Sequence, residues 1–270
     1  TSRNLKERLE KELDNDVALQ VVQGKSTDEF IVSGRGELHL GILIEKMRRE
    51  GYELQASRPE VILKEENGKV LEPAEDVWIE VPEQYSGAII QKMSVRRGEL
   101  KNMNVENSIA YFHFFIPTRC LIGFRNELLL ETKGLGVMNS LFAGYFPAFG
   151  EFEARHHGSL VVHETGTTTA YGLLNAQERG AMFVGPGERV YEGQVVGENA
   201  KDNDIVVHVC RQKQLTNFRA KTDAVTDDLM PPREMTLEQC LEYIGKDELV
   251  EITPKSIRIR KRILSNKLRK

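Results

Sequence analysis

Between Ser33 and Gly51 the chain reads Ser-Gly-Arg-Gly-Glu-Leu-His-Leu-Gly-Ile-Leu-Ile-Glu-Lys-Met-Arg-Arg-Glu-Gly, a pattern with few ways to fold. It describes the end of a strand, a glycine-flanked turn and an amphipathic helix. Gly34 and Gly36 allow backbone angles that other residues resist. Glu37 falls in the first helical turn, where the helix dipole favours a carboxylate, and Arg48 and Arg49 fall in the last, where it favours cations. Gly51 is placed to cap the end. Leu40, Leu43, Ile44 and Met47 share one face at helical spacing. Leu38 and Ile42 lie nearly opposite, so the helix is expected to pack between its own sheet and a second body. An ordinary core helix with a broad stripe is the competing reading.

The flanking sequence extends this into a module. Leu5, Leu9 and Leu13 repeat every four residues in a helix that Thr1 or Ser2 can cap. Val17 to Val22 and Glu29 to Ser33 read as strands, and Tyr52 to Ala56 as a third. The order is α-β-β-α-β, a split βαβ (ferredoxin-like) module lacking its first strand. Asn67-Gly68 then marks a hairpin between Glu60–Glu65 and Lys69–Glu72, read as a connector.

A second module follows. Asp76 to Val81 is an expected strand, Glu83 to Arg96 a helix, Leu100 to Val105 and Ile109 to Ile116 strands about an Asn107-Ser108 turn. Leu121 to Thr132 is an expected helix and Gly136 to Phe146 a strand. This is β-α-β-β-α-β again, a fold that hosts many unrelated functions. From Pro147 onward strands shorten and loops become glycine-rich: Ser159–His163, Met182–Val184, Arg189–Val196, Ile205–Cys210, Glu248–Ile252 and Ser256–Leu264 read as strands, Ala170–Arg179 and Thr236–Ile244 as helices. The fold class is α+β: two consecutive ferredoxin-like domains, 1–72 and 73–147, then a strand-rich α+β domain, 148–270.

Composition excludes several classes. No run of about 18 apolar residues exists to span a membrane, and the N-terminal segment is a charged helix rather than a signal peptide. Cys120, Cys210 and Cys240 show no metal-ligand spacing and read as reduced cysteines of a cytoplasmic protein. A first residue of Thr1 suggests a fragment or processed chain. Charge is uneven: Lys255, Arg258, Arg260, Lys261, Arg262, Lys267, Arg269 and Lys270 occupy a segment without acids. Removing these eight positive charges from the net −4 leaves −12 on the rest, an acidic body with a basic end suited to a local polyanion contact.

The stretch Val-Ser-Gly-Arg-Gly-Glu-Leu-His-Leu resembles the third-domain motif of translational GTPases of the elongation factor G class. Glu45-Lys46-Met47-Arg48-Arg49-Glu50-Gly51-Tyr52-Glu53, followed by Ser57-Arg58-Pro59, is similar to the BipA/TypA branch. Ile116 to Arg125 resembles the family's fifth domain, with Cys120 where glycine is usual. Glu192 to Gly197 and Met235 to Leu241 resemble BipA/TypA C-terminal sequence, which has no counterpart in elongation factor G. The resemblance implies a parent with a GTPase domain and a β-barrel before this point, GTP hydrolysis with GTP and magnesium held there, and binding at the ribosomal factor site. It also implies roles in stress adaptation and large-subunit assembly.

No catalytic, cofactor or metal site is expected in these residues. No G-x-x-x-x-G-K-[ST] phosphate loop occurs. Thr167-Thr168-Thr169 before a helix could bind an anion, though a capping turn is the simpler reading. His156, His157 and His163 lack the spacing of a zinc hydrolase; His39 reads as a packed or hydrogen-bonded residue. Arg119 and Arg125 could touch phosphates, or be solvated helix-end charges.

Two segments favour RNA. In Arg211 to Lys221, the cations Arg211, Lys213, Arg219 and Lys221 can contact phosphates, Asn217 can bond base edges or ribose, and Phe218 can stack. Similarity to the family's Lys-Leu-Thr-Asn-x-Arg-Ala segment implies contact with ribosomal RNA and the acceptor arm of the A-site tRNA. In Ser256 to Ile263, strand alternation puts Arg258, Arg260 and Arg262 on one face and Ile257, Ile259 and Ile263 on the other. The expected partners are the ribosome, its rRNA and A-site tRNA, with no membrane or DNA, and the chain is expected to be a monomer. The alternative is a protein-interaction or small-ligand regulatory module built from paired ferredoxin-like domains.

Overall fold

The structure, a computed structural model, describes residues 2–148, 150, 152, 157–212 and 229–269. The chain divides into two units, Pro59–Arg155, and Thr1–Arg58 together with His156–Lys270.

The unit of residues 59–155 is built on one sheet. Strands β4 (Lys64–Glu66) and β5 (Lys69–Pro82) form the Asn67-Gly68 hairpin, with both turn residues at positive φ, 53° and 72°. That geometry matches the right-handed twist of paired strands. The hairpin arm and the strand expected after it are thus one strand, β5. It pairs antiparallel with β7 (Ile109–Pro117) on one side and β8 (Val137–Pro147) on the other, and β6 (Glu99–Glu106) pairs with β7. Helices α3 (Ser86–Val95), α4 (Thr118–Leu121) and α5 (Phe124–Glu131) complete the β-α-β-β-α-β order. The single helix expected over Leu121–Thr132 is broken because Gly123 takes φ 78°, a left-handed angle that glycine adopts without strain. One sheet face is the core: Val77, Ile79 and Val81 alternate inward with Phe112, Phe114 and Ile116 and pack with Ile89, Met93, Phe124 and Leu128 of the helices. Arg119 is neither solvated nor free for phosphate. Its Nε donates to the buried Glu72 carboxylate at 2.5 Å. Arg125 donates to the Met138 carbonyl at 3.3 Å.

In the other unit, α1 (Ser2–Leu13), β1 (Gln20–Gln23), β2 (Phe30–Ser33), α2 (Glu37–Arg49) and β3 (Leu54–Ala56) keep the expected order. Leu9, Leu19, Leu43 and Met47 form their core. Arg8 ties the two helices together, donating to Glu12 at 2.7 Å and to both oxygens of Glu50 at 2.5 and 2.8 Å. Gly51, at φ 95°, closes α2 by donating to the Arg48 carbonyl at 3.1 Å. One sheet does not hold these strands. β1 and β2 pair only with each other, and β3 pairs instead with β15 (Glu248–Ile252). The first unit shows the reason: there β5, the first strand of the module, lies between the hairpin β6–β7 and the last strand β8. Residues 2–56 have no strand in that central place.

β3 therefore ends a seven-stranded sheet ordered β14 (Ile205–Val207), β9 (Ser159–Val162), β13 (Gln194–Asn199), β16 (Ile257–Lys261), β15 and β3, with β11 (Gly180–Met182) pairing β13. Both faces are covered, so β9 is buried throughout. Leu160 and Val162 face a core with Leu173 and Ala176 of α6 (Ala170–Gln177). Val161 faces a second core with Leu237, Cys240 and Leu241 of α7 (Leu237–Tyr243). Thr236 and Gln239 start α7 as a reciprocal capping box. The strand expected over Arg189–Val196 is split into β12 (Arg189–Val190) and β13 because Gly193 turns the chain at φ 84°.

Helix α2 does pack on two sides, but by another face than expected. Leu43 and Met47 join the core with α1, and Ile44 joins the core beneath α7. Leu38 and Ile42 stay exposed, at 62% and 48%. Met47→Ala should therefore cost about 2–5 kcal/mol, whereas Leu38→Ser should stay within about 0.5 kcal/mol. Urea denaturation of both variants checks this, and a costly Leu38→Ser would place that side chain in a packed environment.

Candidate nucleic-acid interface

The two basic segments enter this fold differently. Arg211 follows the end of β14. Its side chain is exposed, its N–H donates to the His208 carbonyl at 3.3 Å, and its carbonyl accepts from the Thr169 hydroxyl at 2.5 Å. Thr169 also accepts from the Gly172 N–H at 3.0 Å, so it caps α6 and anchors the start of the basic segment in one residue. Thr168 is spent on the Gly185 carbonyl at 2.7 Å. The threonine turn is thus a capping turn. Lys213, Asn217, Phe218, Arg219 and Lys221 lie outside the described residues.

The second segment forms β16, an interior strand between β13 and β15. It ends at Lys261, not Leu264, and this divides the three arginines. Arg258 and Arg260 alternate with Ile257, Ile259 and Lys261, and both are half-buried. Arg258 lies 3.7 Å from Glu251, which also accepts from the Tyr191 hydroxyl at 3.0 Å. Burial first, then the charge of Glu251, pushes the Tyr191 phenol well above its usual range. Arg260 donates along its own chain to the carbonyls of Lys261 and Arg262 at 3.2 and 3.4 Å. Arg262 lies beyond the strand, exposed, its Nε on the Lys246 carbonyl at 2.9 Å. Ile263, expected on the apolar face, is 50% exposed. Of the row, Arg262 presents its guanidinium most openly to solvent.

Lys261, one of the eight cations of the basic end, is only 2% exposed. It lies directly across from Glu248 in the β15–β16 ladder. Its Nζ is 2.9 Å from Glu248 and 2.8 Å from Asp247, and it also contacts Asp204. Glu248 further accepts from the Ser159 hydroxyl at 2.6 Å and the Gly245 N–H at 2.8 Å. Strand alternation carried a signal for this: Lys261 falls in phase with Ile257 and Ile259, the buried positions. Burial pulls the Lys261 ammonium down, but the charge and hydrogen bonds of its three acids outweigh this and raise it above its ordinary 10.5.

The His39 ring accepts at Nδ1 from the Arg35 N–H at 3.2 Å, so its Nε2 carries the proton donated to Asp16 at 2.5 Å. His163 and His208, just beyond matching ends of parallel β9 and β14, lie with ring centroids 4.2 Å apart and planes tilted by 31°. No group of three or more His, Cys, Asp or Glu among the described residues is arranged to hold a metal ion. Burial pushes the Cys120 and Cys240 thiols up to about 11 and about 12, which keeps them protonated and unreactive at neutral pH. Among the described residues no helix is long and apolar enough to cross a membrane.

A raised lysine pKa stabilises the fold fully below its unfolded value and loses that contribution as pH rises through the folded one. The stability of this chain should therefore fall as pH climbs beyond 10.5, with Lys261 as one source. Lys261→Met, which strands Glu248, should cost about 3–5 kcal/mol at neutral pH, and adding Glu248→Leu should recover part of that loss. Urea titrations of both variants measure it.

Comparison with known proteins completes the picture. Residues 1–57 match the profile of elongation factor G domain III, residues 69–155 that of the elongation factor G C-terminus, and residues 157–266 that of the TypA/BipA C-terminal domain. The chain is 49% identical over 262 residues to the large ribosomal subunit assembly factor BipA of Synechocystis, covering 97% of this chain and 44% of that protein. It is 48% identical over 267 residues to the protein of the same name from Bacillus subtilis, covering 98% and 44%. With the chloroplastic putative elongation factor TypA-like SVR3 of Arabidopsis thaliana it shares 46% over 261 residues, covering 96% and 38%. The chain thus spans under half the length of these relatives. Three successive profiles and near-complete coverage at this identity place the chain in the TypA/BipA family, as the portion carrying its domain III, its elongation factor G-type C-terminus and its own C-terminal domain.

Proposed function

We propose that this chain is the ribosome-binding portion of a large-subunit assembly factor whose GTP hydrolysis, with magnesium, belongs to a domain outside it. The observation that carries this is the match along nearly its whole length to proteins named large ribosomal subunit assembly factor BipA. Residues 213–221 supply the RNA contacts: Lys213, Arg219 and Lys221 to phosphate, Asn217 to base edges or ribose, Phe218 by stacking. The targets are rRNA and the acceptor arm of the A-site tRNA, and the setting is the cytoplasm under stress. Arg211 anchors the segment through its backbone, and Arg262 adds an exposed cation from the basic end. Arg258 and Arg260 contribute less, because both are half-buried in an interior strand whereas Arg262 is exposed.

Binding that rests on phosphate contacts is read through salt. Replacing Lys213, Arg219 and Lys221 together by glutamine should weaken co-sedimentation with 50S particles at near-physiological salt. It should also flatten the slope of log affinity against log salt by about 2–3. Arg262→Gln should weaken binding more than Arg258→Gln. Unchanged co-sedimentation of the triple variant would overturn the site, and a salt-independent association would overturn the phosphate contacts.

A further inference from the structure

The sheet of residues 59–155 has helices on one face only. On the other, strand register brings together residues that the RNA-binding reading does not use. Trp78 of β5 lies across from His113 of β7, Glu80 across from Tyr111, and Asp76 across from Phe115. Val137, Asn139 and Leu141 of β8 flank Glu80, Trp78 and Asp76 on the far side. Glu99, Asn102, Asn104 and Glu106 of β6 extend the same face beyond β7.

This face is aromatic and accessible. Trp78 is 40% exposed and Tyr111 38%. The Trp78 and His113 rings stack at 4.8 Å and 7°, and the His113 Nε2 is held by Asp76 at 2.7 Å, so the platform is fixed before any partner arrives. It is also acidic. Asp76, Glu80, Glu99 and Glu106 project from it, against Lys101, which is paired with Glu99 at 2.7 Å and lies 5.4 Å from the Phe115 ring centroid. Glu80, between Trp78 and Tyr111, has no ion-pair partner among the described residues.

We propose that this face docks an arginine-bearing segment of a partner protein, with guanidinium groups stacked on Trp78 and Tyr111 and paired to Glu80. A guanidinium suits both demands at once: it is planar and weakly hydrated enough to lie on an aromatic ring, and it donates to a carboxylate in a fork. The cation already resting near Phe115 shows the same pairing within the chain. Nucleic acid would also stack on exposed rings, but its phosphates would meet four carboxylates, so charge selects the cationic partner over RNA. The face shares no residue with the segment 211–221, and the two proposals stand or fall independently.

Trp78 is the only tryptophan of the chain, so its fluorescence reports occupancy directly. The full chain would be titrated with a synthetic arginine-glycine repeat peptide, with the lysine-glycine peptide of equal charge, and with oligouridylate. The arginine peptide should change Trp78 emission saturably and bind several-fold more tightly than the lysine peptide. Glu80→Gln should weaken it by about fivefold, and Tyr111→Ala should weaken it further. Glu80 lies on the open face, so its variant should keep the parent's unfolding midpoint, which is measured alongside. Absence of a saturable change, equal affinity for the lysine peptide, or unaltered affinity in Glu80→Gln would overturn the proposal. So would oligouridylate binding at this face in preference to the arginine peptide.

Discussion

The short ladder between residues 54–56 and 250–252 is the constraint on which the larger unit depends. Through it the first module gives its last strand to a sheet otherwise made by residues 159–261. Leu54 packs against the cores of both parts at once. Helix α2 reinforces the junction, since Ile44 reaches the core under α7 and Arg48 donates to the Pro254 carbonyl at 3.1 Å. Contacts of such long sequence separation carry a large loop-closure cost. The junction is therefore expected to form only once the interior of the C-terminal sheet exists to receive it.

The interior of that sheet is assembled around a charge. Lys261 and Glu248 face one another on adjacent strands, and neither could stay ionised there without the other and the surrounding donors. Asp204 precedes β14 and Ser159 begins β9, so the same network reaches strands on the far side of β13. A hydrophobic pair could fill the volume. The ionic cluster additionally fixes which residue of β16 lies opposite which residue of β15, where a slip by one would turn every side chain to the wrong face.

Much of this was legible in the sequence. Local signals did best: the Asn67-Gly68 turn, the helix beginning at Thr236 and the helical stripe of Leu43 and Met47 all mark features that the structure contains. Breaks were missed where a single glycine, Gly123 or Gly193, turns the chain inside an otherwise continuous pattern. Partner choice was missed for a different reason. Nothing local to Leu54–Ala56 says that it pairs with residues almost two hundred positions away, because strand pairing is decided by which edge is free. For the candidate interface, residue type named the cations but could not sort them. Alternation fits Arg258 and Arg260, yet their being interior to the sheet, and the burial of Lys261, follow from neighbours on other strands. The acidic aromatic face of β5 and β7 was likewise hidden, since its members lie on four strands and only register brings them together.

The central claim is that residues 2–58 and 157–269 form one cooperative unit through the β3–β15 ladder. Native-state hydrogen exchange on β3 and β15 tests it most directly. The account predicts that the ladder amides of Leu54–Ala56 and Val250–Ile252 exchange with matching protection and the same denaturant dependence, as parts of one unfolding event. Fast exchange of β3 beside a fully protected β15, or protection of β3 that follows α1 and α2 alone, would contradict it.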